Sequence, residues 1–202
     1  MLLTLSLLFA CATEIDDKPA AQVTPTPAKT APEAPAQPAA AAGDALPLKA
    51  DGSSIGFVGA KITGSHDGGF NGFKGGLELA DGKPVGTQVT IDMASTFADH
   101  PKLQKHLLSP DFFDVGKFTS ASFTSSSIVA ADAGYTVTGA LDFHGVSNEI
   151  TFPATITVAD GSATAKAEFT IDRQQWGVSY PGKPDDLIKD DVLIKLDLSF
   201  GG

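Results

Sequence analysis

The residues able to do chemistry are few and scattered. The chain has four histidines, His66, His100, His106 and His144, and one cysteine, Cys11. A transition-metal centre needs several imidazole, thiolate or carboxylate donors converging on one point. His66 with Asp67 is the nearest approach to a ligand pair. No two histidines stand at strand or helix ligand spacing, and His100 and His106 would face different ways on a helix. No metal is therefore expected. There is no nucleophile elbow, His-Glu-x-x-His, phosphate loop or dinucleotide fingerprint, so no catalytic residue is assigned. Histidine as a residue type can serve as a pH switch, and nothing in the sequence selects one of the four for that role. The net charge is −10 without a basic cluster, which disfavours nucleic acid as a partner.

Cys11 has a sharper context. Residues 1 to 11 read Met-Leu-Leu-Thr-Leu-Ser-Leu-Leu-Phe-Ala-Cys, an apolar run too short to span a bilayer. Leu8-Phe9-Ala10-Cys11 resembles the end of a bacterial lipoprotein signal, with Phe9 an imperfect member and no basic region before it. That resemblance implies a diacylated Cys11, a membrane anchor and a place in the bacterial cell envelope, facing the periplasm or the cell surface. A chance cysteine in a cytosolic chain is the competing reading. A lone cysteine forms no intrachain disulfide. Residues 12 to 47 follow as an expected disordered tether. From residue 17 on they are rich in Ala, Pro, Gln and Thr and hold few large apolar side chains to offset the entropy of ordering. Some 40 flexible residues have an r.m.s. reach of about 35 Å.

From residue 48 to 202 the pattern is that of one domain. Polar and apolar residues alternate along Val89–Met93, Tyr135–Phe143, Ile150–Val158, Phe169–Asp172 and Val192–Phe200. Three further strands are expected near 54–62, 70–79 and 120–128. Asp81-Gly82, Asp132-Ala133-Gly134, His144-Gly145 and Asp160-Gly161 separate strands as turns. Period two with one polar face indicates half-buried antiparallel strands. Eight such strands without helices to cover a sheet favour an all-β closed barrel, which removes the sheet edges. A sandwich is the alternative. In an up-and-down order the connections alternate between ends. The segments 63–69, 94–119, 144–145 and 173–190, with all four histidines, then share one end, which is the expected mouth. The short glycine turns share the other.

The insertion at about 94–118 breaks the strand pattern. Pro101 suits the first turn of a helix, and Leu103, Leu107 and Leu108 recur at helical spacing. Pro110 opens a second turn carrying Phe112 and Phe113, and Gly116 ends it. The insertion is expected to plug one end of the barrel, as a fixed closure or as a lid that also touches a ligand.

These residues also carry a family resemblance. Ser109-Pro-Asp-Phe-Phe-Asp-Val115 with Lys117-Phe118 and Ala121-Ser-Phe123 resembles the signature of the YceI family. Leu141-Asp-Phe-His-Gly-Val-Ser147 is similar to its hairpin motif. Asp172-Arg-Gln-Gln-Trp-Gly-Val-Ser-Tyr180 with Asp186-Leu-Ile-Lys-Asp-Asp-Val192 is similar to its C-terminal segment. The three motifs stand in order over roughly residues 48 to 200. The resemblance implies an eight-stranded antiparallel lipocalin-like β-barrel that binds an isoprenoid lipid or quinone-type ligand in its interior. It implies no cofactor beyond that lipid and no catalysis. The inward apolar set Val137, Leu141, Phe143, Ile150, Phe152, Ile156, Phe169, Ile171, Val192, Ile194 and Leu196 would line the tube, with Phe112, Phe113 and Trp176 from the insertions. The same side chains would equally fill a solid core. Trp176 would either staple its loop to the barrel or stack on the ligand. A hydrolytic or metal-dependent histidine mouth, and a filled barrel with a structural, stress-related envelope role, are the other functions that fit.

Overall fold

The structure, a computed structural model, describes residues 14–25 and 44–202. Cys11 and the rest of the expected signal, and residues 26–43 of the expected tether, lie outside the described residues. The described strands, in chain order, are β1 (Gln22–Pro25), β2 (Asp44–Lys61), β3 (Gly64–Phe70), β4 (Phe73–Ala80), β5 (Lys83–Asp92) and β6 (Thr96–Ala98). The helix α1 (Pro101–Leu107) follows. Then come β7 (Ser120–Ala131), β8 (Gly134–Phe143), β9 (Val146–Ala159), β10 (Ser162–Asp172), β11 (Gly182–Lys183) and β12 (Asp186–Gly201).

Eight staves make the barrel. They are β2, the broken stave β3–β4, β5, β7, β8, β9, β10 and β12, each antiparallel to the next. Pairing of β12 with β2, from Val192 opposite Gly59 to Leu196 opposite Ile55, closes the ring. Closure follows from alternation: each stave has an apolar face that only an interior can bury, and a ring leaves no bare edge. Asp81-Gly82 and Asp160-Gly161 hold positive φ at both positions (52° and 70°, 48° and 73°), as type I′ hairpins require.

One expected loop is strand. Residues 64–69 belong to β3, and the chain reverses at Ile62–Thr63. Gly68 and Gly69 look like loop residues, but they permit close packing instead. A Cβ on Gly68 would stand 2.3 Å from the Phe57 ring, so the bare backbone is what lets that ring lie across it. Lys61 and Thr63 bind Asp186, at 2.5 Å and 3.0 Å, and tie this hairpin to the start of β12. The Lys61 hydrogen bond, helped by Thr63, holds the Asp186 carboxyl below the usual carboxylate range.

The 94–118 insertion caps the end it was expected to cap. His100 accepts a hydrogen bond from the Lys102 amide, Pro101 stands in the first turn, and α1 ends at Leu107. The Phe112 and Asp114 amides then both donate to the Ser109 carbonyl. This turn drives Phe113 inward against Phe57, Phe70 and Phe143, with ring centroids 6.0, 6.3 and 5.7 Å away.

Residues 14–25 lie against the barrel wall, although composition placed them in a disordered tether. Ile15 covers an outward-facing apolar patch of Val58, Ala60 and Leu193. Glu14 pairs with Lys195, Asp16 with Lys189 and Lys18 with Glu168. Beyond them Val23 stands opposite Ile150 in a β1–β9 ladder. Burying Ile15 and satisfying both chain edges offsets the ordering entropy that composition alone left uncompensated.

These ion pairs make the segment pH-sensitive in a definite direction. The Lys195 hydrogen bond depresses the Glu14 pKa, and the Glu168 hydrogen bond raises that of Lys18. Glu14 therefore adds stability above the ordinary glutamate pKa and loses it as pH falls through its depressed value. Lys18 adds stability below the ordinary lysine pKa and loses it as pH rises through its raised value. Protection of the Thr170 amide, which donates to the Pro19 carbonyl, is expected to be greatest between those limits and to weaken at high salt. Hydrogen exchange at low and high salt checks this. Salt-independent protection would show that the pairs contribute nothing to docking.

Candidate functional site: the barrel interior

The interior is a carbon-lined cavity of about 170 Å³. It exists because eight staves set the wall further apart than these side chains reach across. On β8 the lining is Val137, Leu141 and Phe143; on β9, Ile150, Phe152 and Ile156; on β10, Phe169 and Ile171; on β12, Ile194 and Leu196. Ten of the expected residues thus face it. The first half of the barrel lines it equally, through Ile55, Phe70, Leu77, Val89, Ile91, Met93 and Phe123. None of these is among the expected lining residues, although the alternation at 89–93 and 120–128 is a signal for several. Thr87 and Ser122 also border it, with the Thr87 hydroxyl donated to the Gly76 carbonyl at 2.9 Å, and Lys166 turns its ammonium outward to Asp197 at 2.7 Å.

Four expected residues stand elsewhere. Val192 lies beyond the lining and packs in the cluster under the plug. Phe113 belongs to that cluster and seals the end. Phe112 sits on its outer side, 4.9 Å from the His106 ring and 5.2 Å from Tyr180. Trp176 is fully buried, and its indole N–H donates to the Leu141 carbonyl at 3.1 Å. It is a staple. Its turn, Arg173–Trp176, is fixed by Arg173, itself buried and donating to the carbonyls of Val178 (2.5 Å) and Lys189 (3.0 Å) and to Asp190. A buried guanidinium with its donors spent on these partners has little left for a ligand head group.

The histidines share one end of the barrel but no centre. His66 meets Asp99 at 3.1 Å, and His106 meets Asp111 at 2.9 Å. His144 donates through Nδ1 to the Trp176 carbonyl at 3.1 Å. His100 is spent on the α1 cap. Among the described residues no three His, Cys, Asp or Glu side chains converge on a point. The expected mouth is closed in this structure by the phenylalanine plug.

A plugged, eight-stranded antiparallel barrel around an apolar cavity is a lipocalin-like barrel. The chain belongs to the YceI-like domain family, whose model matches residues 47–200. A "UPF0312 protein" of Pseudomonas putida is 30% identical over 136 residues, covering 62% of this chain and 70% of that protein. The BcnA crystal structure from Burkholderia cenocepacia superposes with a TM-score of 0.69 at 26% identity, covering 75% of this chain and 98% of the other. A polyisoprenoid binding domain from Saccharophagus degradans, implicated in plant cell wall breakdown, has the same fold. Its TM-score is 0.64 at 18% identity, over 78% of this chain and 98% of that one.

Proposed function

We propose that the barrel binds an amphipathic polyisoprenoid-type lipid, for carriage or sequestration in the bacterial envelope, and does no catalysis. The observation that carries this reading is the lining: a cavity walled by aliphatic and aromatic side chains, with no charged group turned inward. Such a space suits a hydrocarbon chain and offers a substrate no reactive group. Family membership and the polyisoprenoid-binding neighbour support the same class of ligand.

In this reading acylated Cys11 anchors the domain. Glu14 docks on the wall three residues later, so the anchor spans at most about 11 Å rather than the reach of a free tether. The wall carrying β1 would then face the bilayer. Changing Cys11 to Ser is expected to release the full-length chain from the membrane fraction. A mutant that stays as firmly bound as wild type would remove lipidation as the anchor.

The ligand claim is tested by native mass spectrometry of protein purified from its own membrane, with extraction and identification of any adduct. An isoprenoid adduct in one-to-one stoichiometry is expected. Protein that is lipid-free and takes up no isoprenoid on incubation would sink the reading.

A further inference from the structure

One seam of the wall is filled by a segment from outside the eight staves. β9 and β10 pair over five residues next to their turn, from Ser162 opposite Ala159 to Lys166 opposite Thr155, and then part. The gap between them is filled by residues 19–25. On one side Gln22–Pro25 pair antiparallel with Asn148–Thr151 of β9. On the other, the Ala21 amide donates to the Thr170 carbonyl at 2.8 Å, and the Thr170 amide to the Pro19 carbonyl at 3.0 Å. A strand placed between two antiparallel neighbours must run parallel to one of them. Here that neighbour is β10, through the Ala20–Thr170 bridge.

This filler packs Ala21 and Val23 against the buried cluster behind it, but it is lightly held along its β10 edge. The eight staves are linked in sequence order, several of them through tight turns, whereas residues 26–43 intervene between β1 and β2. Its bond to β10 is two hydrogen bonds in the weaker, parallel geometry. Its outer fastening is Ile15 and three solvent-exposed ion pairs, each worth little. Directly behind it Phe152 of β9 and Phe169 of β10 stack face to face at 4.1 Å across the gap, and both line the cavity. The cavity, about 170 Å³, has the scale of one benzene-sized guest. A chain of several isoprene units needs the barrel to open and widen. One end is shut by the Phe113 plug.

We infer that residues 19–25 form a removable stave, and that the lipid enters sideways between β9 and β10 when the β1–β10 seam parts. This rests on the lipid-binding reading above. The chain passes between Phe152 and Phe169, whose faces make an apolar threshold. A lateral portal lets a chain move from a bilayer into the barrel without crossing water. β5 and β7 also separate, beyond Gln88 and Thr124, where the Thr87 amide is held by the Ser125 hydroxyl. That flare is the rival entrance.

The test pins the seam reversibly. Ala20, which is exposed, and Thr170, which is buried, are bridge partners at a strand spacing that a disulfide can span. In full-length chain carrying Cys11→Ser, Ala20→Cys and Thr170→Cys, uptake of all-trans geranylgeraniol from vesicles is followed oxidised and reduced. Oxidation is expected to slow uptake roughly tenfold or more, and reductant to restore it. Ile15→Glu, which unfastens the outer side, is expected to speed uptake without the disulfide. Equal rates oxidised and reduced, with Ile15→Glu unchanged, overturn the portal and point to the flare. No uptake by the wild-type chain in any state would instead remove the lipid reading beneath it. Hydrogen exchange gives a readout free of lipid: the Thr170 amide is expected to exchange faster than amides of the β8–β9 ladder. If it exchanges only with global unfolding, the stave is permanent and the inference fails.

Discussion

Replacing Trp176 with alanine is expected to cost about 3–5 kcal/mol, a large fraction of the stability of a domain this size. Trp176 has no exposed surface. It belongs to one buried cluster with Phe152, Phe169 and Ile171, against which Val23 of the stave also packs. Its N–H also satisfies the Leu141 carbonyl on β8, while Asn148 of β9 donates to the neighbouring Gln175 carbonyl. One turn thus ties three staves together. Trp176→Phe keeps most of the packing but loses that hydrogen bond, at about 0.5–1.5 kcal/mol. Urea unfolding measures both, with a lowered midpoint and an unchanged slope expected. A loss below about 1 kcal/mol for the alanine variant would mean that the turn is not the keystone proposed here.

Enlarging the wall from within is expected to separate binding from folding. Ala167 lines the cavity on β10 at the level where the β9–β10 pairing ends. Ala167→Leu projects three more carbons into the space. In a filled core such a change overpacks and destabilises by about 1–3 kcal/mol. In a cavity of about 170 Å³ the side chain finds room, so apo stability should hold within about 0.5 kcal/mol. Lipid occupancy should fall about tenfold or more, because the guest loses the volume the leucine takes. Thermal unfolding and quantitative lipid extraction on the same preparation give both numbers. Full occupancy in a stable Ala167→Leu protein, and likewise in Ala154→Phe, would show that the ligand does not use this tube.

The barrel was legible because its causes are local. Alternation along Tyr135–Phe143 or Val192–Phe200 dictates which face of a strand is apolar whatever lies beside it. Asp81-Gly82 and Asp160-Gly161 can adopt the left-handed pairs that tight hairpins need. Pro101, the leucine spacing and the Ser109–Val115 turn announce a capping insertion. The ten cavity residues on the last four staves follow from the same alternation, because a closed ring turns every apolar face inward.

The rest depended on partners distant in the chain. Gly64–Gly69 reads as loop until Phe57 is laid across Gly68. Trp176 is equally a staple or a stacking platform until its N–H is seen against Leu141, 35 residues away. Histidines gathered at one end look like a site until each is found with a separate partner. The stave is the extreme case. Nothing in Gln22–Pro25 marks a strand, since its ordering comes from edges that β9 and β10 leave bare more than a hundred residues later. Periodicity records what a strand buries of its own side chains. Whether a polar segment finds unpaired backbone to join is a property of the closed wall, and only the tertiary structure decides it.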